Sequence, residues 1–493
     1  MNRVWLNLAG KSGASCYPKS ICGGDSQGRS TGLLPGPMEP GKFCPFGSKD
    51  LWGRLKGDCL AGLPEYSARS GREQRYSGLL MLKGCGTEAK WGVPDRTFGP
   101  TLARSALSVN GGKMSKIIQD PINGPVKVNG LFEELIDSPE FQRLRYVKQL
   151  GLTNLVFPGA NHTRFEHSLG TYYIAELMAD FFNVKEKDLL LSSALLHDIG
   201  HPAMSHSLES FFRDRYGKDH QEIGGQIISG TGNYSSSNIP DILEKHSVDP
   251  AIVSEIVCKG SREFPLISSL ISGSIDADEL DYLRRDAFST GVAIGLIDHM
   301  RILNTIRAEN QEIFVEEKGI PSVESLLISR ILMYNSVYFH KTCRIAQNMM
   351  VSAMSRADDI PDDPFRMNDW ELVAFLRTQR NSRALMEDIL NRRLLKPVIQ
   401  VNYTKEISEA IAEKLHGFND SEVLIDVIPP LSFSGRGRTK SEVKAMRAGK
   451  IGLLETFSPM VRSLNETLES RNIVVSAKKE VFHKIDQVLH SLA

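Results

Sequence analysis

The chain has 493 residues, of which 41% are hydrophobic and 24% charged, a composition that excludes disorder of the whole chain and allows two or three domains. Acidic and basic residues balance at 59 each, so the net charge gives no strong signal for a nucleic-acid or membrane partner. We find no run of about 18 apolar residues that could span a bilayer and no apolar signal-peptide core, and we expect a cytoplasmic protein.

Residues 1–113 contain clusters of Gly, Ser, Pro and Arg without sustained helical or strand periodicity. This pattern is typical of a segment that has no core of its own. We predict a poorly structured, disordered or non-native extension, with Met114 as a candidate for the true start. The cysteines of this segment match no zinc or disulfide spacing and are interpreted as incidental thiols.

Helical periodicity dominates the middle of the chain, and we predict a mainly α-helical body over residues 114–400. Apolar stripes predict helices in HSLGTYYIAELMADFF and in KDLLLSSALLHDIG, the second of which ends at Gly200. SIDADELDYLRRDAF predicts another helix, and VESLLISRILMYNSVYFHKTCRIAQNMMVSAM predicts a long one.

Residues 401–493 have a different texture and predict a smaller α+β region. Runs rich in β-branched residues, in VIQVNYTKEI and SEVLIDVIPPLSF, favour strands, and AKKEVFHKIDQVLHSL favours a closing amphipathic helix. No internal repeat with a period of about 20 to 50 residues is visible.

The tract ALLHDIGHPAMSHSLE places His197 beside Asp198 after an apolar helix. Adjacent residues of a helix point about 100° apart, so both side chains reach one ion only where further ligands arrive from other segments. NHTRFEHSLG supplies His167 upstream, and SIDADELDYLRRD supplies Asp278 downstream. Two imidazoles and two carboxylates predict a divalent metal ion, and Mn, Fe, Zn, Ni and Mg are all compatible.

Two polar stripes on otherwise apolar helices predict a polar ligand. The residues that recur every fourth position are Asp278, Tyr282 and Asp286 on one helix and Arg330, Tyr334 and Tyr338 on the next. Taken singly, such residues are more often caps or members of a solvated face with surface salt bridges. Their joint recurrence favours the ligand-binding interpretation.

The motifs RFEHSLG, LLHDIGHPAMSH and IDADELDYLRRD resemble those of the HD-domain phosphohydrolases. The resemblance is to the branch of deoxynucleoside triphosphate triphosphohydrolases that includes bacterial dGTPases and the vertebrate dNTPase with a SAM domain, and it covers about residues 114–400. It implies an HD-domain helical bundle that hydrolyses dNTPs to deoxynucleoside and triphosphate. It also implies a homo-oligomer, dimer or tetramer, for which MVSAM and LLISRIL are candidate contacts.

The resemblance also implies site residues, position by position. The metal ligands would be His167, His197, Asp198 and Asp278. The catalytic residues would be His201, His206, Glu209, His220 and Glu222. The substrate-binding residues would be Arg164, Tyr282, Asp286, Arg330, Tyr334 and Tyr338. The arginines would bind phosphate oxygens, an imidazole would protonate the leaving oxygen, and Asp286 with Tyr282 would contact the sugar.

Two positions depart from the family pattern. Glu279 stands where the vertebrate enzyme has a phosphate-contacting lysine, and it would repel a polyphosphate if it pointed inward. Gln221 stands where the family has a glutamate, and an amide cannot act as a general base. Either Glu222 takes that role, or the step relies on His206 and Glu209.

Two alternatives stay open at this point. The same metal site could hydrolyse another phosphate ester, such as a nucleoside monophosphate or a cyclic or guanosine-type signalling nucleotide. The chain could instead be a non-catalytic nucleotide-binding regulatory module, in which the metal site would be empty.

Overall fold

The computed structural model describes residues 115–419, 421–429, 442–467 and 471–492. The predicted extension 1–113 and the proposed start at Met114 lie outside the described residues. The helices are α1 Leu131–Asp137, α2 Pro139–Gln142, α3 Arg164–Phe182, α4 Lys187–Leu196, α5 Glu209–Tyr216, α6 His220–Ser229, α7 Ile239–Lys245, α8 Pro250–Lys259, α9 Pro265–Ser272, α10 Ala277–Thr290, α11 His299–Thr305, α12 Ile320–Met333, α13 Lys341–Ser355, α14 Asp369–Thr378, α15 Arg383–Leu390, α16 Lys405–Lys414, α17 Leu454–Phe457, α18 Pro459–Thr467 and α19 Phe482–Leu489. The strands are β1 Lys116–Asp120, β2 Gly124–Val128, β3 Ile306–Glu309, β4 Glu312–Glu316, β5 Lys396–Asn402, β6 Val423–Ile428, β7 Lys444–Arg447, β8 Lys450–Leu453 and β9 Asn472–Ala477.

The mainly α-helical fold class with a smaller C-terminal sheet region is confirmed. Helix α3 packs against α4 and α10, and together they form the centre of one continuous apolar core. The start of α3 is fixed by a capping box in which the side chains of Thr163 and Glu166 each bond the other residue's main chain. This cap sets the orientation of the first turn of α3, which carries His167.

Helix α4 is shorter than its sequence pattern predicts. The helix ends at Leu196, and residues 197–200 form a turn rather than a last helical turn. The turn passes so close to α6 that a β-carbon on Gly200 would collide with the main chain of that helix. Glycine is therefore required at this position by the close approach.

The prediction of one long helix from VESLLISRILMYNSVYFHKTCRIAQNMMVSAM is wrong. Helix α12 ends at Met333, and residues Tyr334–Tyr338 form a π-helical turn in which the N–H of Phe339 donates to the carbonyl of Tyr334 at 2.7 Å. The side chain of His340 then accepts from the N–H of Thr342 and caps α13. Both helices are apolar on one face, so their combined pattern does not reveal the break between them.

Three small sheets flank the helices. Strands β1 and β2 form an antiparallel hairpin, and a four-stranded sheet has the order β3-β4-β7-β8, in which β4 and β7 are parallel. The third sheet is antiparallel, in the order β5-β9-β6, and packs against α16 and α19 through a second apolar core.

The strands and closing helix predicted near the C-terminus correspond to β5, β6 and α19. The third sheet begins at Lys396, and β7 joins β4, so a boundary between residues 400 and 401 stays a prediction. In the part of the chain that the structure describes, no helix combines the length and apolar character needed to cross a bilayer.

Candidate metal centre and cleft

The side chains of His167, His197, Asp198 and Asp278 converge on one point inside a cleft. The Nε2 atom of His167 lies 3.0 Å from Asp278 Oδ1, 3.3 Å from His197 Nε2 and 3.5 Å from Asp198 Oδ2. His197 Nε2 lies 3.4 Å from Asp198 Oδ1 and 3.8 Å from Asp278 Oδ1. The structure therefore brings together all four predicted metal ligands, which come from α3, α10 and the turn after α4.

The hydrogen bonds of the two imidazoles show that their Nε2 atoms are available as ligands. The Nδ1 of His167 lies 3.0 Å from Asp281 Oδ2, and the Nδ1 of His197 lies 2.8 Å from the carbonyl of Ala194. Because both of these partners are acceptors, each Nδ1 carries a proton, and each Nε2 is the atom that can hold either a second proton or a metal ion. Lone pairs and carboxylate oxygens this close repel one another unless a cation lies between them.

The spacing of these atoms suits a divalent metal ion. Ligand atoms about 2.1 Å from one ion are about 3 Å from their neighbours, and the donors here are separated by similar distances. The residues present therefore fit such an ion. It would polarise a phosphoryl oxygen and make water a stronger acid at neutral pH.

The pKa shifts of the cluster favour positive charge, which can be supplied either by protons or by a metal ion that replaces them. Burial lowers the pKa of His167, but hydrogen bonds to Asp278 and Asp281 outweigh it and raise the pKa to about 10. The pKa of His197 is raised as well, because Asp198 and Asp278 outweigh its burial. Conversely, although burial opposes it, the two imidazoles hold the pKa of Asp278 well below its usual range.

A buried ion-pair network lies behind His167. Both oxygens of Asp281 accept hydrogen bonds from Arg285, at 2.8 and 2.9 Å, and Arg285 Nη1 also lies 2.8 Å from Asp120 in β1. A β-carbon on Gly170 in α3 would collide with both Asp281 and Arg285. Sequence reasoning missed Asp281, although it lies three residues after Asp278 and so shares its helix face.

A second polar cluster lines the wall of the cleft beside the metal centre. Glu209 accepts from His206 Nδ1 at 2.9 Å and from His220 Nδ1 at 3.1 Å. The rings of His201 and His220 stack with centroids 3.9 Å apart, and His201 Nε2 lies 3.2 Å from Asp198 Oδ1. These three imidazoles are close enough to form a second group of metal-ligating type.

The two ends of this second cluster differ in charge. Burial and the neighbouring guanidinium of Arg164 hold the pKa of His201 well below its usual range, so the ring is neutral. Burial raises the pKa of Glu209, but the hydrogen bonds from His206 and His220 outweigh it and keep the carboxylate ionised. His206 itself is exposed to the cleft.

Glu222 is not brought to this cluster. Its side chain accepts from the N–H of Asp219 at 3.3 Å, and its own N–H donates to Asp219 Oδ1 at 2.9 Å, which caps α6. Glu222 is exposed and is not among the residues that line the cleft, whereas Gln221 is. A nearby carboxylate for the histidines is therefore supplied by Glu209.

The guanidinium of Arg164, whose side chain lines the cleft, has one nitrogen without a partner in the described part of the chain. Its Nη1 donates to Asp198 at 2.5 Å and its Nε donates to Ser205 Oγ at 3.0 Å. Its Nη2 is buried and has no hydrogen-bond partner among the described residues, and the same holds for Nδ1 of His201. Both side chains line the cleft. A bound anion would satisfy Arg164 Nη2, whereas Nδ1 of the neutral His201 is an acceptor, because its Nε2–H faces Asp198, and it needs a donor such as water or a hydroxyl.

The remaining predicted substrate-binding residues line the same cleft, which has a volume of about 830 Å³; they are Tyr282, Asp286, Arg330, Tyr334 and Tyr338. Asp286 is held by His162 Nε2 and by the Tyr338 hydroxyl, each at 2.7 Å. Burial raises the pKa of Tyr338 well above its usual value, so the phenol stays protonated and donates.

Sequence reasoning missed His162 and also Gln149, whose buried Oε1 in the cleft has no partner in the described part of the chain.

The structure answers the question raised by Glu279. Its carboxylate accepts from Arg330 Nη1 at 2.6 Å, and both side chains are buried. Burial raises the pKa of Glu279, and Arg330 opposes this rise. The negative charge is therefore compensated within the protein, although Arg330 is correspondingly engaged.

Comparisons with known proteins agree with this geometry. Residues 164–285 match the model of the HD domain, and residues 297–492 match the HD associated region. An uncharacterized protein of Methanocaldococcus jannaschii is 41% identical over 298 residues, which are 58% of this chain and 60% of that protein. The deoxynucleoside triphosphate triphosphohydrolase SAMHD1 of Homo sapiens is 30% identical over 284 residues, 50% of this chain and 45% of that protein.

A solved structure of a phosphohydrolase from Bacteroides thetaiotaomicron superposes with a TM-score of 0.61 at 26% identity and covers 74% of this chain and 100% of that one. The chain spans between about half and three-fifths of the length of these curated relatives. The chain belongs to the HD-domain phosphohydrolase superfamily.

Proposed function

We propose that this protein hydrolyses deoxynucleoside triphosphates to deoxynucleoside and triphosphate, using a divalent metal ion held by His167, His197, Asp198 and Asp278. The observation that carries the proposal is the buried Nη2 of Arg164, which has no partner among the described residues and belongs to a side chain that lines the cleft and bonds Asp198. A buried donor without a partner costs about 1 to 3 kcal/mol, and a phosphate oxygen is the acceptor that an arginine fork binds best.

The groups on either side of Arg164 suit the two ends of a nucleotide. Next to Arg164, the neutral ring of His201 has a buried Nδ1 with no partner among the described residues; it can accept from a water molecule beside the phosphate. At the other end, the buried Oε1 of Gln149 can accept from a sugar hydroxyl, close to the pair formed by Asp286 and Tyr338. Polar groups at separate positions in one cleft favour a substrate that has both phosphate and hydroxyl groups.

We propose cleavage at the α-phosphorus because the resemblance of the motifs implies it, and the groups of the cleft supply the proton transfer that it needs. A water molecule attacks that phosphorus, the bond to the sugar O5′ breaks, and the water oxygen stays with the triphosphate while its proton is released to bulk water. His206 gives a proton to O5′ as it leaves, and the ionised carboxylate of Glu209 stabilises the imidazolium before transfer. Arg164 donates to the phosphoryl oxygen as negative charge builds there.

Relatives support the choice of substrate. Human SAMHD1 is named a deoxynucleoside triphosphate triphosphohydrolase, and it shares 30% identity with this chain over 284 residues. We also propose that the protein acts as a homo-oligomer, as the resemblance implies, and that it is cytoplasmic.

A second candidate substrate is another phosphate ester, and the ion pair between Glu279 and Arg330 favours it. Arg330 is one of the two arginines expected to bind a polyphosphate, and its Nη1 is engaged by a buried carboxylate. A smaller ester would need only the donors of Arg164.

The test is a product analysis with the purified, metal-loaded chain. Each of the four dNTPs, singly and mixed, is incubated with Mn or Mg, and the products are separated by ion-exchange chromatography. We expect deoxynucleoside and triphosphate in equal amounts. Release of inorganic phosphate alone, from these or other nucleotides, would favour the second candidate. A metal-loaded protein that cleaves no phosphate ester would favour a non-catalytic binding module.

A further inference from the structure

Asp369 lies behind the cleft and joins the two loops that form its walls. Its Oδ2 accepts a hydrogen bond from the main-chain N–H of Lys148 at 3.0 Å, and its Oδ1 accepts from the N–H of Met204 at 2.7 Å. Gln149, which follows the first of these residues, and His206, close after the second, both line the cleft. One carboxylate is thus shared between the wall nearest the proposed sugar position and the wall nearest the phosphate position.

The loop at Met204 has a backbone conformation that its own sequence does not favour. Met204 has φ 60° and Ser205 has φ 49°, so two consecutive non-glycine residues are left-handed. Such a turn persists only where the surrounding contacts impose it. Here the turn directs the hydroxyl of Ser205 to Nε of Arg164 at 3.0 Å and to the carbonyl of Lys148 at 2.7 Å.

A half-buried arginine bonds the neighbouring turn. Arg143 donates to the carbonyls of Ile199 at 2.9 Å and His201 at 2.8 Å, in the turn that follows the metal ligands. It also donates to the carbonyl of Met367 at 3.3 Å, two residues before Asp369. Two charged groups, the buried Asp369 and the half-buried Arg143, are thus bonded largely to main-chain atoms near the cleft. Removing a charged group from water costs free energy, and here the hydrogen bonds of both groups hold the main chain near the cleft in place.

We propose that Asp369 is a positioning residue for the cleft, whose carboxylate holds the Lys148–Gln149 loop and the Met204–Ser205 turn at the separation that a bound substrate requires. The inference rests on the proposed function. Asp369 belongs to the segment that matches the HD associated region, whereas Arg164 and the metal ligands lie in the HD domain. The associated region would therefore take part in forming the active cleft.

The test compares Asp369→Asn with a control one residue away. An amide of the same shape can accept from only one of the two N–H groups, because its NH₂ would face the other. The control, Asn368→Ala, removes the cap of α14, namely the bonds from the N–H groups of Trp370 and Glu371, and touches neither loop. For each metal-loaded variant, kcat, KM, melting temperature and amide exchange at residues 148 and 204 are measured.

We expect Asp369→Asn to keep its metal, to exchange faster at both amides and to lose about 10- to 100-fold in kcat/KM. Asn368→Ala should lower the melting temperature but leave kcat/KM within about twofold of the wild type. Equal kcat/KM in the two variants, or unchanged amide exchange in Asp369→Asn, would overturn the proposal. If Asp369→Asn does not fold, Asp369→Glu keeps the charge but displaces the carboxylate, and the same expectations apply.

Failure of the proposed function can be told apart from failure of this inference. If the wild type hydrolyses no nucleotide, the proposed function fails, and binding of inorganic triphosphate replaces kcat/KM as the measured quantity. Faster amide exchange together with weaker triphosphate binding in Asp369→Asn would then support the positioning role. Unchanged exchange or unchanged binding would overturn it.

Discussion

The Nδ1 atom of His167 lies 3.0 Å from a carboxylate oxygen of Asp281, and both side chains are fully buried. The carboxylate fixes the tautomer of the imidazole and turns its Nε2 toward Asp278, 3.0 Å away. Arg285 in turn fixes the carboxylate through two hydrogen bonds. The orientation of this candidate metal ligand therefore depends on Asp281 and Arg285, which lie outside the candidate ligand set.

Replacement of Asp281 tests this support directly. In Asp281→Asn, one amide group must satisfy both His167 and Arg285, and its NH₂ cannot accept from either. We expect the metal affinity to fall about 10- to 100-fold, as measured by titration with Mn²⁺. Asp298→Asn, which changes an exposed cap of α11, is the control and should bind metal like the wild type. Equal affinity in Asp281→Asn would show that the carboxylate does not orient the ligand.

Gly170→Ala is expected to destabilise the protein, whereas most replacements of glycine by alanine inside a helix stabilise it. In an ordinary helix interior, alanine is more stable than glycine by about 1 kcal/mol. At this position a β-carbon would collide with Asp281 and Arg285, so we expect a loss of about 1 to 3 kcal/mol in the free energy of unfolding, together with weaker metal binding. Urea unfolding measures the first quantity.

The matched control for this change is Gly224→Ala in α6. A β-carbon there would meet its nearest neighbour, the N atom of Gly200, at 3.5 Å, which is an ordinary contact. We expect this variant to be as stable as the wild type or more stable. If Gly170→Ala behaved in the same way, the space behind His167 would be less tightly filled than the structure indicates.

The motifs of the metal centre could be predicted from the sequence because each is short and contiguous. His167, His197, Asp198 and Asp278 lie at the beginnings or ends of helices, where caps and apolar patterns locate them. Glu209 was also found, because it follows His206 by three residues in one segment. The local sequence pattern was sufficient to predict these positions.

The supporting residues could not be predicted, because their partners are distant in sequence. His162 bonds Asp286, which is 124 residues further on, and Met204 bonds Asp369, which is 165 residues further on. The four-stranded sheet joins β3 and β4 to strands that follow them by more than a hundred residues. Residues of this kind have no local signal, since tertiary packing alone brings them together.

The buried pair of Arg330 and Glu279 predicts an asymmetry between single and double replacements. Arg330→Met leaves a buried carboxylate without this cation and should lower the free energy of unfolding by about 3 to 5 kcal/mol. In Arg330→Met combined with Glu279→Gln, we expect most of that loss to be recovered. Urea unfolding of the four proteins gives the coupling energy.

An exposed ion pair serves as the control for this cycle. The side chains of Arg447 and Glu317 are 53% and 59% exposed, so Arg447→Met should change the free energy of unfolding by less than about 1 kcal/mol. A double variant as unstable as Arg330→Met alone would show that the buried charge of Glu279 is not what makes the single change costly.

His299 predicts a loss of stability in mild acid. Burial, and secondarily the charge of Arg284, lowers the pKa of His299 from 6.5 to about 4. Between these values the unfolded chain binds a proton that the folded chain does not, so stability decreases as the pH falls from 6.5 to 4. In His299→Gln, we expect a weaker dependence of the melting temperature on pH over this range, with exposed His416→Gln as the control. A slope identical to that of the wild type would contradict this assignment.

The most direct test of the metal centre is the metal content of purified variants, measured by mass spectrometry after equilibration with Mn, Fe, Zn, Ni or Mg. We expect one divalent ion bound at this site in the wild type and none in His167→Ala or Asp198→Asn. Asp286→Ala should retain the ion fully and should lose only substrate selection. A wild type that binds none of these ions, or a His167→Ala variant that binds them equally well, would contradict the assignment of the four ligands.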